Sequence, residues 1–338
     1  MLNIGVVGCG YWGNHILRNF NSSENWNLVI ACDKEQSQIN KVKSLYLNTR
    51  FTLDFNDILN DPNIDAIAIS TPVSSHFELA KATLLAGKHA WVEKPLTSTK
   101  EESEELIEIA SSKNLILNVD HTFIYTSSVQ KIKNLIDSND LGDILYFDSV
   151  RINLGLFQHD VNVIWDLAPH DISIIQYCIG KKPIAVNATG AGLVKYGLKN
   201  LENIAYVTIH FDDWSIAHLH LNWLSPVKVR KIIIGGTKKM LVFDDMEQSE
   251  KLKIYDSGVK VTSRDDIYDA LVQYRIGDMY SPSIGNKEAL KEEVEHFYQC
   301  ILNGQHTITD GEAGLYVVKI LEAANESIRL NGEKIKII

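Results

Sequence analysis

The sequence predicts two domains of different class: an N-terminal α/β domain with a doubly wound parallel sheet over residues 1–121, and a C-terminal α+β domain over residues 122–338 built on an open, mostly antiparallel sheet. Three observations carry this expectation. The 338 residues are enough for two cores of ordinary size. The first third alternates short β-branched runs with helical patterns, which is how a parallel sheet with right-handed crossovers reads. Beyond His121 that alternation gives way to long segments of period-two patterning.

In chain order, "LNIGVVG" is followed by the helical "GNHILRNF", "LVIACD" by "SQINKVKSLY", "IDAIAIS" by "HFELAKATLLAGK", "HAWVE" by "KEESEELIEIASSK", and "LILNVDH" closes the series. The helix after Pro95 carries its own start signal, since Ser98 with Glu101 and Thr99 with Glu102 both have capping-box spacing. In the second domain, "SSVQKIKNLIDSN" reads as a helix and "DILYFDSVRINLG" as a strand. Along "NIAYVTIHFDDWSIAHLHLNWL", Ala217, Leu219, Leu221 and Trp223 fall on one strand face and His218, His220 and Asn222 on the other. "GGTK" is a hairpin turn between "RKIII" and "MLVFDD", "KLKIYD" is a further strand, and "QYRIGDMYSPSIG" reads as an irregular loop at the active site or a subunit contact. "KEALKEEVEHFYQCILNG" and "GEAGLYVVKILEAANESIRLNG" return to helix.

Charge and cysteine usage narrow the partners. The formal net charge is -10 with no block of Lys/Arg, so the electrostatic footprint for nucleic acid or an anionic membrane is missing and a small-molecule partner is expected. Cys9, Cys32, Cys178 and Cys300 lie far apart without a C-x-x-C pair, which speaks against a zinc knuckle and a disulfide framework and for buried thiols in a reducing compartment. The start "MLNIGVVGCG" has no basic region ahead of an apolar run of signal length, and no later segment is apolar for the length a bilayer needs; a cytoplasmic protein is expected. His218 and His220 alternate on a strand, but no third ligand stands at a telling spacing, so no metal is expected.

Gly8, Gly10 and Gly13 form G-x-G-x-x-G directly after a strand and directly before a helix, the context in which glycines make a tight turn, let backbone approach a pyrophosphate and pack helix on strand. Tyr11 and Trp12 fill the variable positions and are grouped with these glycines as cofactor-binding. Asp33 ends the second strand twenty positions beyond Gly13 (33 minus 13), where a carboxylate accepts hydrogen bonds from an adenosine ribose diol. It would repel a 2′-phosphate, so NAD is expected over NADP, with NADP still open. The alternatives are a turn without nucleotide and an Asp33 that only caps the next helix.

Ligands of an open α/β sheet bind outside the carboxyl ends of its strands, which puts Ser70, Thr71 and Pro72 with Glu93, Lys94 and Pro95 on one rim. Pro95 forces an abrupt exit and turns Lys94 toward the crevice, where an ammonium would stabilise an alkoxide beside a nicotinamide; a lysine at a strand end is otherwise a solvated charge. In "VNVIWDLAPHDISIIQYCIG", Pro169 suits the first helical position; His170 then falls in the opening turn, as a neutral base disfavoured as imidazolium, with Asp166 across three intervening residues. The alternative is a polar helix start in which Asp166 is the cap. In "RINLGLFQHD", Arg151, Asn153, His159 and Asp160 could hold substrate hydroxyls or a phosphate, or be surface polarity.

Taken together, G-x-G-x-x-G, "TPVSSH" (Thr71 to His76), "EKP" (Glu93 to Pro95), "DLAPH" (Asp166 to His170), "IIIGGTKKMLVFD" and "DGEAGLYVVKILEAANESIRLNG" resemble, in order and through nearly the whole chain, the glucose-fructose oxidoreductase / inositol dehydrogenase / MocA family. The resemblance implies a Rossmann domain and an NAD(P)-dependent sugar dehydrogenase or reductase. It adds His76, Glu93 and Lys94 to the cofactor-binding set, makes Lys94, Asp166 and His170 the catalytic group, and points to Lys94, Arg151, Asn153 and His170 as substrate-binding. A secondary hydroxyl or ketone of a sugar, cyclitol or nucleotide-linked sugar is the implied substrate, and a homodimer or homotetramer formed through the open sheet, along which Trp214 and Trp223 alternate, the implied assembly. Family members commonly have Gly where this chain has Ala168, a departure that bears on the substrate pocket. The competing readings are an NADPH-dependent keto-sugar reductase and a dinucleotide-binding regulator or scaffold without turnover; whether Lys94 or His170 is the terminal base stays open, since the two titrate as a pair.

Overall fold

The computed structural model describes residues 1–155, 161–195, 201–261 and 272–337. They form two compact units, Met1–Thr126 with Lys287–Lys319, and Ser127–Asn286 with Ile320–Ile338. The first 126 residues alternate β1 (Leu2–Val7), α1 (Tyr11–Ser22), β2 (Trp26–Cys32), α2 (Gln36–Val42), β3 (Arg50–Thr52), α3 (Asn56–Leu59), β4 (Ala66–Ile69), α4 (His76–Leu85), β5 (His89–Glu93), α5 (Lys100–Ser112) and β6 (Leu117–Asp120). Their six strands lie in the order β3-β2-β1-β4-β5-β6 and every pairing is parallel. The switch point of this doubly wound sheet lies between β1 and β4, and it sets where the crevice opens. β4 is buried along its whole length, as a sheet covered on both faces requires. β3 has three residues, too few for a period to show in sequence. Of the two candidate capping boxes, Thr99 and Glu102 form the real one: Thr99 accepts from the Glu102 backbone N–H at 3.3 Å and Glu102 Oε2 accepts from that of Thr99 at 3.1 Å.

The second unit runs through α6 (Ser127–Asp137), β7 (Ile144–Leu154), α7 (Val163–Ile179), β8 (Pro183–Ala191), β9 (Ile204–Phe211), β10 (Ile216–Asn222), β11 (Leu224–Gly236), β12 (Met240–Asp244), β13 (Leu252–Val261) and β14 (Val272–Tyr280). After it come α8 (Ala289–Asn303), α9 (Gly311–Arg329) and β15 (Ile335–Lys336). The nine strands β14-β13-β12-β11-β7-β10-β9-β8-β15 form one sheet, antiparallel except where β10 pairs with β7. Ala217, Leu219 and Leu221 are fully buried while His218, His220 and Asn222 are only partly covered, so one face is packed and one is half-polar.

Three sequence expectations change. "QYRIGDMY" is not a loop but belongs to β14, paired with β13; its alternation is broken by Gly277, which hid the strand. Trp223 is 1% exposed and so is not on the open face, whereas Trp214, 95% exposed at φ 69°, sits in the turn between β9 and β10. The third concerns 287–319, which packs with the first unit: on α8, Phe297 stacks on Trp26 at 5.5 Å between ring centroids and meets Trp91 edge-on at 5.4 Å. Helical periodicity reveals that α8 has an apolar face, not which core receives it, so two contiguous stretches divided at 121 leave this return out.

Candidate active site

At the carboxyl edge of the parallel sheet, Gly8 has φ +99° and a Cβ there would stand 2.3 Å from the Ser70 carbonyl oxygen. Only glycine satisfies both conditions. A Cβ on Gly13 would meet the Gly8 carbonyl at 2.0 Å, so this glycine lets α1 press against the turn, whereas one on Gly10 would meet nothing within 4 Å among the described residues. That open side leaves room for a phosphate. Gly10 is the N-cap of α1, no side chain among the described residues caps the helix, and its first turn has no acidic residue. The free N–H groups and positive end of a twelve-residue helix thus face this opening.

Asp33 spans the crevice. Its Oδ2 accepts from the Cys9 backbone N–H and its Oδ1 from that of Glu35, both at 2.8 Å, so it ties the end of β2 to the glycine turn and also steadies the approach to α2. It is not the cap of α2, whose N-cap is Glu35 and takes no side-chain hydrogen bond among the described residues. Carboxylate oxygens accept two hydrogen bonds each, which leaves capacity toward the cavity. That cavity, about 450 Å³, is bordered by Gly8, Gly10, Asp33, Ser70, Thr71 and Pro72, six of the residues picked out by motif. Lys34, Gln38, Leu53, Phe55, Ser74, Ser75 and Leu79 border it too. They were missed because they lie on loops and helix starts with no spacing rule; the readable signals were Lys34, next to Asp33, and Ser74 and Ser75, inside "TPVSSH". The glycine turn, uncapped helix and strand-end acid fit a dinucleotide's pyrophosphate and ribose.

The remaining first-unit candidates are placed around this cavity rather than along its border. Tyr11 is exposed and packs edge-on against His15. Trp12 donates its indole N–H to Asp120 Oδ2 at 2.8 Å. His76 is buried, with Nδ1 2.9 Å from the Pro95 carbonyl and Nε2 2.8 Å from that of Thr71, and so braces the two rim loops against each other. Burial pushes its pKa down, against the pull of those carbonyls. Lys94 follows the last residue of β5 and enters Pro95 through a cis peptide bond. Burial and the neighbouring Asp120 carboxyl hold Glu93 well above the usual carboxylate range.

In the second unit, α7 begins at Val163, capped by Asn162 Oδ1 accepting from the Trp165 N–H at 3.1 Å. Pro169 lies inside the helix, which corrects the expectation that it opens it. The polar cap at Asn162 and the buried run Val163 to Trp165 set the start six residues earlier (169 minus 163), and Pro169 gives up one bond of the ladder. His170 is consequently in the helix body, and no helix-terminus argument for its charge applies; Asp166 is in the first turn. Four residues apart, the two share a helix face. Asp166 Oδ2 accepts from the Trp223 indole at 3.0 Å, which fixes the carboxylate against β11's approach. Arg151 is buried and grips Asp171 with two bonds of 3.0 and 2.7 Å, so its guanidinium anchors β7 to α7. Asn153 lies near the end of β7, partly exposed, and the candidates His159 and Asp160 lie outside the described residues. Tyr206 stacks on His220 at 4.6 Å and on His218 at 6.2 Å.

A Rossmann sheet with this cradle, followed by an open-sheet unit whose helix α7 carries an Asp/His pair, is the architecture of a dinucleotide-dependent oxidoreductase. Residues 2–121 match the oxidoreductase family model with NAD-binding Rossmann fold, and residues 129–242 that of the GFO/IDH/MocA C-terminal domain. An uncharacterized oxidoreductase, YdgJ, of Escherichia coli (strain K12) is 31% identical over 79% of this chain and 78% of its own length. The chain belongs to the GFO/IDH/MocA oxidoreductase family. It is also similar to the scyllo-inositol 2-dehydrogenase (NAD(+)) of Bacillus subtilis (strain 168), 24% identical over 98% of this chain and 95% of that protein. The solved UDP-N-acetylglucosamine 3-dehydrogenase of Acidithiobacillus ferrooxidans has the same fold, with a TM-score of 0.78 at 22% identity over 97% of this chain and 98% of that one.

Proposed function

We propose that this protein oxidises a secondary carbinol of a sugar, cyclitol or nucleotide-linked sugar, or reduces the matching ketone, with NAD(H). The observation that carries the reading is the single cavity where Gly8, Gly10 and Asp33 meet Ser70 to Pro72, in a chain of an oxidoreductase family. NAD, when bound, supplies the hydride acceptor. The chain's own residues do the rest. His170 takes the carbinol proton, and Lys94 donates a hydrogen bond to the same oxygen as negative charge gathers there. Asp166, held by Trp223, orients the imidazole one helical turn away. Asn153 holds a substrate hydroxyl, and Arg151 keeps the strand that carries it in place through Asp171. An inositol dehydrogenase and a nucleotide-sugar dehydrogenase among the relatives support this substrate class.

Asp33 on the cavity border favours NAD over NADP; Lys34 on the same border is the one feature on the side of NADPH. A scaffold without turnover has no chemical use for Lys94, Asp166 and His170 together. A homo-oligomer assembled through the half-polar sheet face, where Tyr206 and Ile216 are 40% and 42% exposed, and a cytoplasmic location belong to the same proposal. Among the described residues no helix is long and apolar enough to cross a membrane. The test follows NADH and NADPH absorbance in both directions over a panel of cyclitols, free hexoses and UDP- and dTDP-sugars and their ketones. Turnover of at least one compound, faster with NAD(H), is expected. NADH binding with a silent panel would overturn the reading in favour of the scaffold.

A further inference from the structure

In the nine-stranded sheet β10 and β11, consecutive in the chain, lie on opposite sides of β7. β10 runs parallel to β7, so the single residue between β10 and β11, Trp223, carries the backbone across the carboxyl end of β7. The crossing is fastened on both sides. The Trp223 N–H donates to the Asn203 carbonyl at 2.9 Å, and the Trp223 carbonyl accepts from the Gly155 N–H at 3.1 Å. Beyond it Leu224 pairs with Leu154, and the Leu224 N–H donates to Asn222 Oδ1 at 2.6 Å. With the backbone held in this way and the side chain 1% exposed, packing fixes where the indole lies.

That place joins two residues which the proposed reaction uses separately. The indole Nε1–H donates to Asp166 Oδ2 at 3.0 Å. The next ring atom, Cδ1, lies 3.1 Å from the point where a Cβ on Gly155 would stand, and Asn153 Nδ2 lies 3.1 Å from the same point. Neighbouring atoms of one pyrrole edge thus meet the Asp166 carboxylate and the gap that the Asn153 amide also borders. Gly155 is what lets the two side chains close up. A methyl group there would be tighter than packed side chains tolerate, so the indole or the amide would have to yield. An indole is a rigid plate, and a displacement at Cδ1 is passed on to Nε1.

We propose that Trp223, seated over Gly155, is the positioning residue that decides which carbinol of the substrate ring reacts. A sugar or cyclitol ring carries several secondary carbinols of nearly equal chemistry. Oxidation of one of them sends its C–H hydrogen as hydride to NAD and its O–H proton to His170, leaving a ketone. Which one is oxidised depends on how far the hydroxyl held by Asn153 lies from the base that Asp166 orients, and the indole sets that span by packing beside one and bonding the other. The proposal rests on the roles of Asn153, Asp166 and His170 read above, and adds to them a determinant of regioselectivity that touches neither the reacting atoms nor the cofactor.

The test has two arms on the full chain. In the first, without substrate, the indole N–H signals of the six tryptophans are followed by NMR on protein carrying ¹⁵N-labelled tryptophan. The Trp223 signal, assigned by its loss in Trp223→Phe, is expected to shift in Asp166→Asn and in Gly155→Ala, while that of Trp214, 95% exposed, stays in place. In the second, the ketones formed from the best substrate of the panel are identified by NMR. The wild type is expected to give one ketone. Trp223→Phe and Gly155→Ala are expected to raise a second isomer about 10-fold or more relative to the first and to lower kcat about 10-fold or more, with NADH affinity unchanged. A merely structural role would lower the amount of active enzyme without changing the isomer ratio. Gly155→Ala, which removes no contacting group, carries the product arm where Trp223→Phe does not fold. An unmoved Trp223 signal in either variant, or a single unchanged ketone in Gly155→Ala, overturns the proposal. The NMR arm on the free protein needs no turnover, so a shifting Trp223 signal with a silent panel overturns the dehydrogenase reading and the regioselectivity with it, while an unmoved signal with an active panel overturns the role of Trp223 alone.

Discussion

At the scale of single residues, the account places most weight on Asp33. Its carboxylate is pre-oriented by two backbone N–H groups, so in the proposed site the ribose hydroxyls would meet an acceptor that does not have to be ordered on binding. Hydrogen bonds to a charged group contribute about 1.5–3 kcal/mol, so Asp33→Ala is expected to weaken NADH binding about 10- to 100-fold in a fluorescence titration and to narrow the gap to NADPH. Unchanged NADH affinity would remove Asp33 from the cofactor site. Much of this cradle was legible in the sequence because the glycines and the acid occupy positions that strand, turn and helix geometry dictate. The burial of its acidic neighbours was not. Glu93 stood out through Lys94 and Pro95, but Glu293 is buried only because α8 belongs to the first unit, for which no local pattern exists.

At the scale of elements, α7 is held to its sheet by the buried Arg151–Asp171 pair, whose side chains are 6% and 1% exposed. Removing one partner strands the other charge, so Asp171→Asn is expected to cost about 3–5 kcal/mol by chemical denaturation, whereas Arg151→Met with Asp171→Leu together should cost far less. A loss below about 1 kcal/mol for the single variant would mean that water reaches the pair. Sequence reading named Arg151 but as a substrate ligand, because a strand-end arginine shows no sign of an acid twenty positions later (171 minus 151). It likewise put the start of α7 at Pro169, the stronger local signal, where the Asn162 cap and buried first turn prevail. The period-two strands β9, β10 and β12 and the helix α5 were readable because one face of each is buried and the period is unbroken. β3 was too short and β14 too interrupted by glycine to show one.

At the scale of the whole molecule, two buried glutamates of the first unit link stability to pH. Glu93 and Glu293 stay protonated in the fold above the ordinary value of 4.5, so the unfolded chain releases protons that the folded chain keeps. Stability then falls as pH rises from about 4.5 to the folded values, by about 1.4 kcal/mol per pH unit for each group. His121 acts with the opposite sign below 6.5, since the unfolded chain takes up a proton that the fold, with its imidazole at about 3, refuses. The His121 contribution is common to wild type and Glu293→Gln, so their comparison isolates the carboxyl: the variant is expected to lose part of the fall in denaturation midpoint as pH rises above about 4.5, and an unaltered slope would contradict a raised Glu293. The division of the chain into a cofactor-binding and a second, open-sheet unit was visible in its change of period, because each architecture imposes its own spacing of apolar residues. The central claim is that Lys94 and His170 handle the reacting proton while the glycine turn and Asp33 carry most of the dinucleotide binding. Measuring NADH affinity and kcat side by side in Lys94→Ala and His170→Ala, on the best substrate of the panel, tests it most directly. The account predicts NADH binding that falls little in Lys94→Ala and not at all in His170→Ala, with kcat lowered about 10²- to 10⁴-fold in each; wild-type turnover in either variant would contradict it.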